Sequence, residues 1–224
     1  MTIKHHPSNE TLVAFVNGTL DEANTLVVAA HLAHCQECRT AVRQMAEMGG
    51  NLLAMAEPVE VGRSSRDSCL SKLDSTPVEV AGSTYVLERP AAEVKSAPRR
   101  GLDPMAFVEL YGSGKWKWLG PGVYRQDLDV PSDDGTRAFI LKAAPGTRLP
   151  DHSHEGTEWT CVLKGAFRHD HGRFGIGDFD EADSSVDHNP YVEEGEECIC
   201  LVALNGDVRM KSWIGRLIQP LVRI

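Results

Sequence analysis

Apolar residues recur in two rhythms along the chain, and the rhythm changes near residue 100. Before it, Leu12, Val13, Phe15 and Val16 sit at helical spacing behind Ser8, a residue type that caps helices, and Gly18 stops them. Asp21 stands in the same relation to Leu26, Val27, Ala30 and His31. A third apolar stretch runs from about Ala41 past Met45 and Met48 to Met55, weakened by Gly49 and Gly50 and ended by Pro58. One further short helix fits Arg66 to Leu73. Later the apolar residues come in short runs instead: 123–128, 138–143, 158–163 and 197–204, set between clusters of Gly, Pro, Asp and Asn. That texture predicts many short antiparallel strands, hence a sandwich or barrel.

The fold class predicted is therefore α+β, a small helical domain over residues 1–85 followed by an all-β domain over 105–224. Between them, 86–104 read as a linker, with Pro90, Pro98 and Pro104 among small residues and the basic Lys95, Arg99 and Arg100. A length of 224 residues suits one or two folding units.

Charge narrows the partners. Lys and Arg total 23 against 32 Asp and Glu, and both halves share the acidity. A protein that neutralises phosphates needs the opposite balance, so nucleic acid is a poor partner and a basic protein a better one. No stretch approaches the ~20 apolar residues that span a bilayer. The start, Met1 to Pro7, lacks the apolar core of a secretory signal, so the cytoplasm is the expected compartment. Six cysteines, at 35, 38, 69, 161, 198 and 200, are sparse for a disulfide scaffold.

Two groups of residues carry metal chemistry. The first is His31-x3-Cys35-x2-Cys38. On a helix, positions i, i+4 and i+7 share one face, so the three side chains converge. Two thiolates and two imidazoles satisfy the tetrahedral preference of zinc, which calls for one more histidine. His6 and His5 are the candidates for the fourth place, and His34 competes for the role of His31. Such a site is closed and structural. This pattern resembles the zinc-binding anti-sigma domain of bacterial cytoplasmic anti-sigma factors, over about the first 85 residues. In that family the upstream ligand lies about as far away as His6 does here, which favours His6. The resemblance implies a helical module wrapping an extracytoplasmic-function (ECF) sigma factor, with the helix near 66–73 wedged between sigma domains.

The second is Gly146-x5-His152-x-His154-x3-Glu158-x6-Gly165. On one extended strand, 152, 154 and 158 share parity and face the same way. Two imidazoles and a carboxylate on an inner barrel wall make a divalent metal site, and the glycines suit turns at the strand ends. The pattern resembles the first motif of the cupin superfamily. A cupin takes one more histidine from a later strand, for which His188 is the candidate, with His169 and His171 as alternatives expected in an exposed loop. Zinc, iron, manganese and nickel all accept this set, and zinc is the expected ion. The acidic runs 178–187 and 193–197 read as solvated loops, and Cys198 and Cys200 as buried thiols on one strand face. Trp116, Trp118, Trp159 and Trp213 read as core or rim of the barrel.

Both motifs together, in this order and spacing, closely resemble the ChrR family of anti-sigma factors. The resemblance implies a non-enzymatic regulator that binds an ECF sigma factor one to one and blocks its contact with core RNA polymerase. It further implies release under singlet oxygen or related oxidative stress, with His152, His154, Glu158 and His188 as the sensing ligands. The competing reading is a cupin metalloenzyme of dioxygenase type with an accessory zinc module.

Overall fold

A computed structural model describes residues 2–62, 64–75, 111, 114–132, 135–183 and 189–210. The expected linker at 86–104, His188 and Trp213 lie outside these residues. Helix α1 (Asn9–Val16) begins where the Ser8 hydroxyl accepts from the Thr11 amide, and Gly18 turns the chain after it at φ 65°. Asp21 caps helix α2 (Glu22–His34) in the same manner, accepting from the Asn24 amide at 2.7 Å. Helix α3 (Gln36–Met55) runs through Gly49 and Gly50 without interruption. A glycine costs about 1 kcal/mol against alanine in a helix interior, too little to break a run of good helix formers on both sides. Helix α4 (Ser65–Ser75) occupies the place of the expected short helix.

Among the described residues the β-region forms three antiparallel sheets. Strands β1 (Lys117–Gly120), β2 (Val123–Asp127), β3 (Arg137–Ala143), β5 (Glu158–Lys164), β8 (Phe179–Ala182) and β10 (Cys198–Leu204) make a six-stranded sheet in the order β1-β2-β3-β10-β5-β8. Strands β6 (Ala166–His169), β7 (Gly172–Gly175) and β9 (Tyr191–Val192) make a second, in the order β7-β6-β9, and β4 (His152–His154) pairs with β11 (Val208–Met210). The architecture is a cupin-like antiparallel barrel preceded by helices. Its interior is filled from both larger sheets by Val123, Phe139, Val162, Phe167, Phe174, Val192, Cys200 and Val202.

The outer face of the large sheet is also apolar. Trp159, Cys161, Phe179, Leu201 and Ala203 join Leu12, Leu26, Val27 and Ala30 of α1 and α2 in a second buried cluster. Strand β10 is thus covered on both faces, which is why its sequence reads as one unbroken apolar run rather than an alternation. Met1–Met48 and Arg100–Ile224 form one compact unit, in which α2 packs on β5, β10 and β3. Gly49–Arg99 form a second. In its described part, Leu52, Leu53, Met55, Val59, Val61 and Leu70 are all exposed.

Two expectations need correction. Residues 152, 154 and 158 do not share one strand: β4 ends at His154, a bend follows, and Glu158 opens β5 in another sheet. The acidic stretch from Asp178 is no solvated loop at its start, since Asp178 is buried and Phe179–Ala182 form β8. Its strand character was hidden because Asp180 and Glu181 read as solvated until they find partners within the fold.

Candidate metal centres

The first group forms where α2 gives way to α3. Cys35 is extended (φ −94°, ψ 109°), so the chain breaks into two helices rather than continuing as one. The break aims Cys35 back at Cys38, whose amide donates to the Cys35 sulfur at 3.4 Å. His6 enters from the arm before α1, its Nδ1 lying 3.4 Å from Cys35 Sγ and 3.3 Å from Cys38 Sγ. The donor atoms of His6, His31, Cys35 and Cys38 all lie within 4.8 Å of one another. With bonds of about 2.0–2.3 Å, a tetrahedral zinc site has edges of roughly 3.3–3.8 Å, so the group fits that ion.

Protonation supports the fit. His31 is fully buried and donates from Nδ1 to the Gly177 carbonyl at 2.7 Å. Its Nε2 is buried without a hydrogen-bond partner and carries the lone pair that a metal takes. Burial pulls its pKa down to about 4 against the opposing pull of the Gly177 bond, so the ring is neutral at pH 7. Burial and the Cys35 hydrogen bond push the Cys38 thiol up to about 12, so only a nearby cation turns it into thiolate. Glu37 stands 4.0 Å from the far nitrogen of His6.

The competing histidines are placed elsewhere. His5 stacks on Phe174 with ring centroids 4.1 Å apart. His34 lies against Gly177, where a Cβ would come within 2.6 Å of the His34 Cβ. Gly177, at φ +83°, therefore permits a backbone approach that no other residue would allow.

The barrel supplies more contacts to the arm. Asp178 Oδ1 accepts the amides of Lys4 (2.7 Å) and His5 (3.0 Å), while the Phe179 amide donates to the His5 carbonyl at 3.1 Å. Glu181 accepts from the Ser8 amide at 3.0 Å and from the Thr11 hydroxyl at 2.7 Å. Sequence reasoning missed Gly177, Asp178 and Glu181. Only the apolar Phe179 and Ala182 flanking Asp180 and Glu181 break the acidic run there, and that is too little to mark a strand.

Of the second group, the structure describes the backbone positions of His152 and His154 and the side chain of Glu158. His152 and His154 take alternate positions of β4, opposite Met210 and Val208, and Glu158 opens β5 between Leu204 and Ala182. Glu158 is half-buried, and desolvation, with Asp180 adding repulsion, pushes its carboxyl up to about 8. His169 is not an exposed loop residue. It ends β6 with its side chain buried and donates from Nε2 to Asp180 at 3.0 Å, whereas His171 is exposed. Cys198 and Cys200 are buried on one face of β10 with sulfurs 3.6 Å apart. The Cys198 hydrogen bond and burial raise the Cys200 thiol well above its ordinary range. Trp159 is core, while Trp116 and Trp118 are exposed at the rim.

Known proteins resemble this chain along its length. Residues 107–206 match the family model of the ChrR cupin-like domain, and residues 10–39 match a zinc-finger family model. The whole chain is 38% identical over 228 residues to the anti-sigma-E factor ChrR of Cereibacter sphaeroides, the match covering 100% of each. The chain belongs to the ChrR family of anti-sigma factors. It also matches a chain of the solved complex of Rhodobacter sphaeroides SigE with the anti-sigma ChrR, with TM-score 0.68 and 34% identity, covering 91% of this chain and 100% of that one. The zinc-finger match takes in His31, Cys35 and Cys38 but stops short of His6, which joins the group through the fold. The ChrR cupin match takes in both His152 and His154 and also Glu158, His169 and His188.

Proposed function

We propose that this chain is a cytoplasmic anti-sigma factor that binds an ECF sigma factor one to one and keeps it from core RNA polymerase. Residues 1–85 carry the inhibition, held in shape by zinc on His6, His31, Cys35 and Cys38. The observation that carries the reading is full-length kinship with a ChrR, together with the match to the SigE-bound ChrR. Kinship with anti-sigma factors decides against the enzyme reading: the role is regulatory. The apolar stripe of α3 adds support. Ala41, Val42 and Met45 pack on the core, but Met48, Leu52 and Met55 continue the same face at 66%, 69% and 81% exposure. An apolar stripe left uncovered marks a surface for another protein. The net charge of −9 suits a basic, DNA-binding partner. Among the described residues no helix is long and apolar enough to cross a membrane.

Release is the finer part of the proposal. A divalent ion, zinc being expected, is held by His152, His154, Glu158 and His188, and this centre senses singlet oxygen or related oxidative stress. Three imidazoles and a carboxylate leave an open coordination position where an oxidant can react, unlike the closed two-Cys, two-His set. The thiols of Cys198 and Cys200 face the same interior and stand near Glu158. Glu158→Ala is the test, read with a sigma-dependent reporter. It is expected to leave repression intact in the dark and to abolish induction by singlet oxygen; normal induction would remove the barrel centre from the sensing role.

A further inference from the structure

We propose that the barrel turn 175–178 and strand β8 form an outer shell for the zinc group, so that the barrel sets how firmly that group holds its ion. The inference rests on the reading of His6, His31, Cys35 and Cys38 as zinc ligands. Two of those four side chains are positioned from the barrel. The Gly177 carbonyl holds Nδ1 of His31, fixing both the tautomer and the ring plane that Nε2 presents to the ion. His6 is bracketed: on one side Asp178 and the Phe179 amide hold the backbone of Lys4 and His5, and on the other Glu181 holds Ser8 and Thr11.

The turn is itself rigid. Asp178 Oδ2 accepts from the Gly175 amide at 2.8 Å, and the Gly177 amide donates to the Val162 carbonyl of β5 at 2.8 Å. A ligand histidine with a fixed second nitrogen is the usual way a protein orients a metal site, and losing that partner weakens metal binding by about 10–100-fold. Here every such partner except Glu37 comes from a stretch of sequence some 140 residues or more distant from the ligand it serves.

Strand β8 also has a second side. Asp180, between Phe179 and Glu181, turns to the barrel interior and accepts from the buried His169. One strand thus separates the interior from the contacts that hold His6. Any rearrangement inside that shifts β8 moves the acceptors of Glu181 and the Gly177 carbonyl with it. The zinc group is reached through this packed contact and needs no force transmitted along residues 86–104.

The test uses the full-length chain loaded with cobalt in place of zinc. Thiolate-to-cobalt absorption reports only ions bound by cysteine, so its decay in excess EDTA measures release from this group. Glu181→Ala, at an exposed side chain, and Gly177→Ala are expected to release cobalt about 10-fold faster than wild type. Gly135→Ala serves as the control, because Gly135 has nearly the same φ of +84° but open space around it, and its rate should be unchanged. Near-UV circular dichroism verifies that the Glu181→Ala barrel is folded. Wild-type release rates in folded Glu181→Ala and in Gly177→Ala would overturn the outer shell while leaving the zinc reading standing. A wild-type chain with no thiolate band, or a band that survives Cys38→Ala, would instead overturn the zinc reading itself.

Discussion

The group His6, His31, Cys35 and Cys38 packs on the outer face of the large sheet, Glu158 belongs to its inner face, and the two differ in what surrounds them. The outer group gathers His6, His31, Cys35 and Cys38 from an arm and a helix junction, and the sheet beneath holds two of them in place. On the inner side, Glu158 shares the barrel wall with the buried pair Cys198 and Cys200, and a strong carboxylate–imidazole contact, Asp180 with His169, lies on the same side. Thiolates and a closed set of four suit an ion that holds a fold together. Imidazoles and a carboxylate suit an ion that keeps a place for an incoming molecule. The donor atoms available on the two sides of the sheet differ, and donor atoms decide what chemistry a bound ion can support.

The sharpest way to break this contrast is at the thiolates. Cys35→Ala or Cys38→Ala is expected to remove one zinc equivalent, much of the helical circular dichroism and all inhibition of the sigma factor. Structural zinc contributes on the order of 10 kcal/mol to the folding of isolated finger peptides, more than any other single contact here. A variant that keeps its helicity and its zinc yet fails to inhibit would make the group a contact surface and not a structural one.

The next largest effect comes from the sheet between the groups. Leu201 is fully buried at the centre of β10, on the face that packs against α2. Leu201→Ala should destabilise the protein by about 3 kcal/mol through lost burial and a cavity. Because α2 and the barrel share that cluster, helical and near-UV signals should fall together in one thermal transition. Two separate transitions would mean that the helices and the barrel hold themselves up independently.

The smallest effect separates a helix cap from a barrel contact. Ser8 caps α1 and also meets Glu181, whereas Asp21 caps α2 through Asn24. Each substitution by alanine should cost about 1 kcal/mol from the cap alone. In urea unfolding, Glu181→Ala should reduce the cost of Ser8→Ala and leave that of Asp21→Ala unchanged. Equal costs for Ser8→Ala in both backgrounds would show that Glu181 adds nothing through the Ser8 side chain.

Much of this was legible in the residues alone. Ser8 and Asp21 mark the helix starts because a side-chain oxygen beside an unpaired amide acts locally. The strands β2, β3, β5 and β10 follow from short apolar runs between turn residues, and Cys35 with Cys38 follows from their spacing. Less visible were β4 and β5 as separate strands, since Glu155, Gly156 and Thr157 between His154 and Glu158 look the same whether the chain goes straight or bends. His169 was misplaced for a related reason: a histidine next to a turn is exposed unless a carboxylate such as Asp180 waits inside, and that partner lies 11 residues away.

What the sequence by itself determined is what neighbouring residues decide between them: helix starts and stops, the strand-rich second half, and two sets of candidate metal-ligating side chains in order. The kinship with ChrR rests on the same linear information. Only the tertiary structure decided that His6 rather than His5 joins the cysteines, that α2 lies on the barrel, and that the backbone of Gly177 and the acids of β8 hold the outer group. A carbonyl oxygen is the same in every residue and a glutamate reads as solvated until something meets it. Contacts between chain segments more than 140 residues apart are therefore set by packing, which no local pattern encodes.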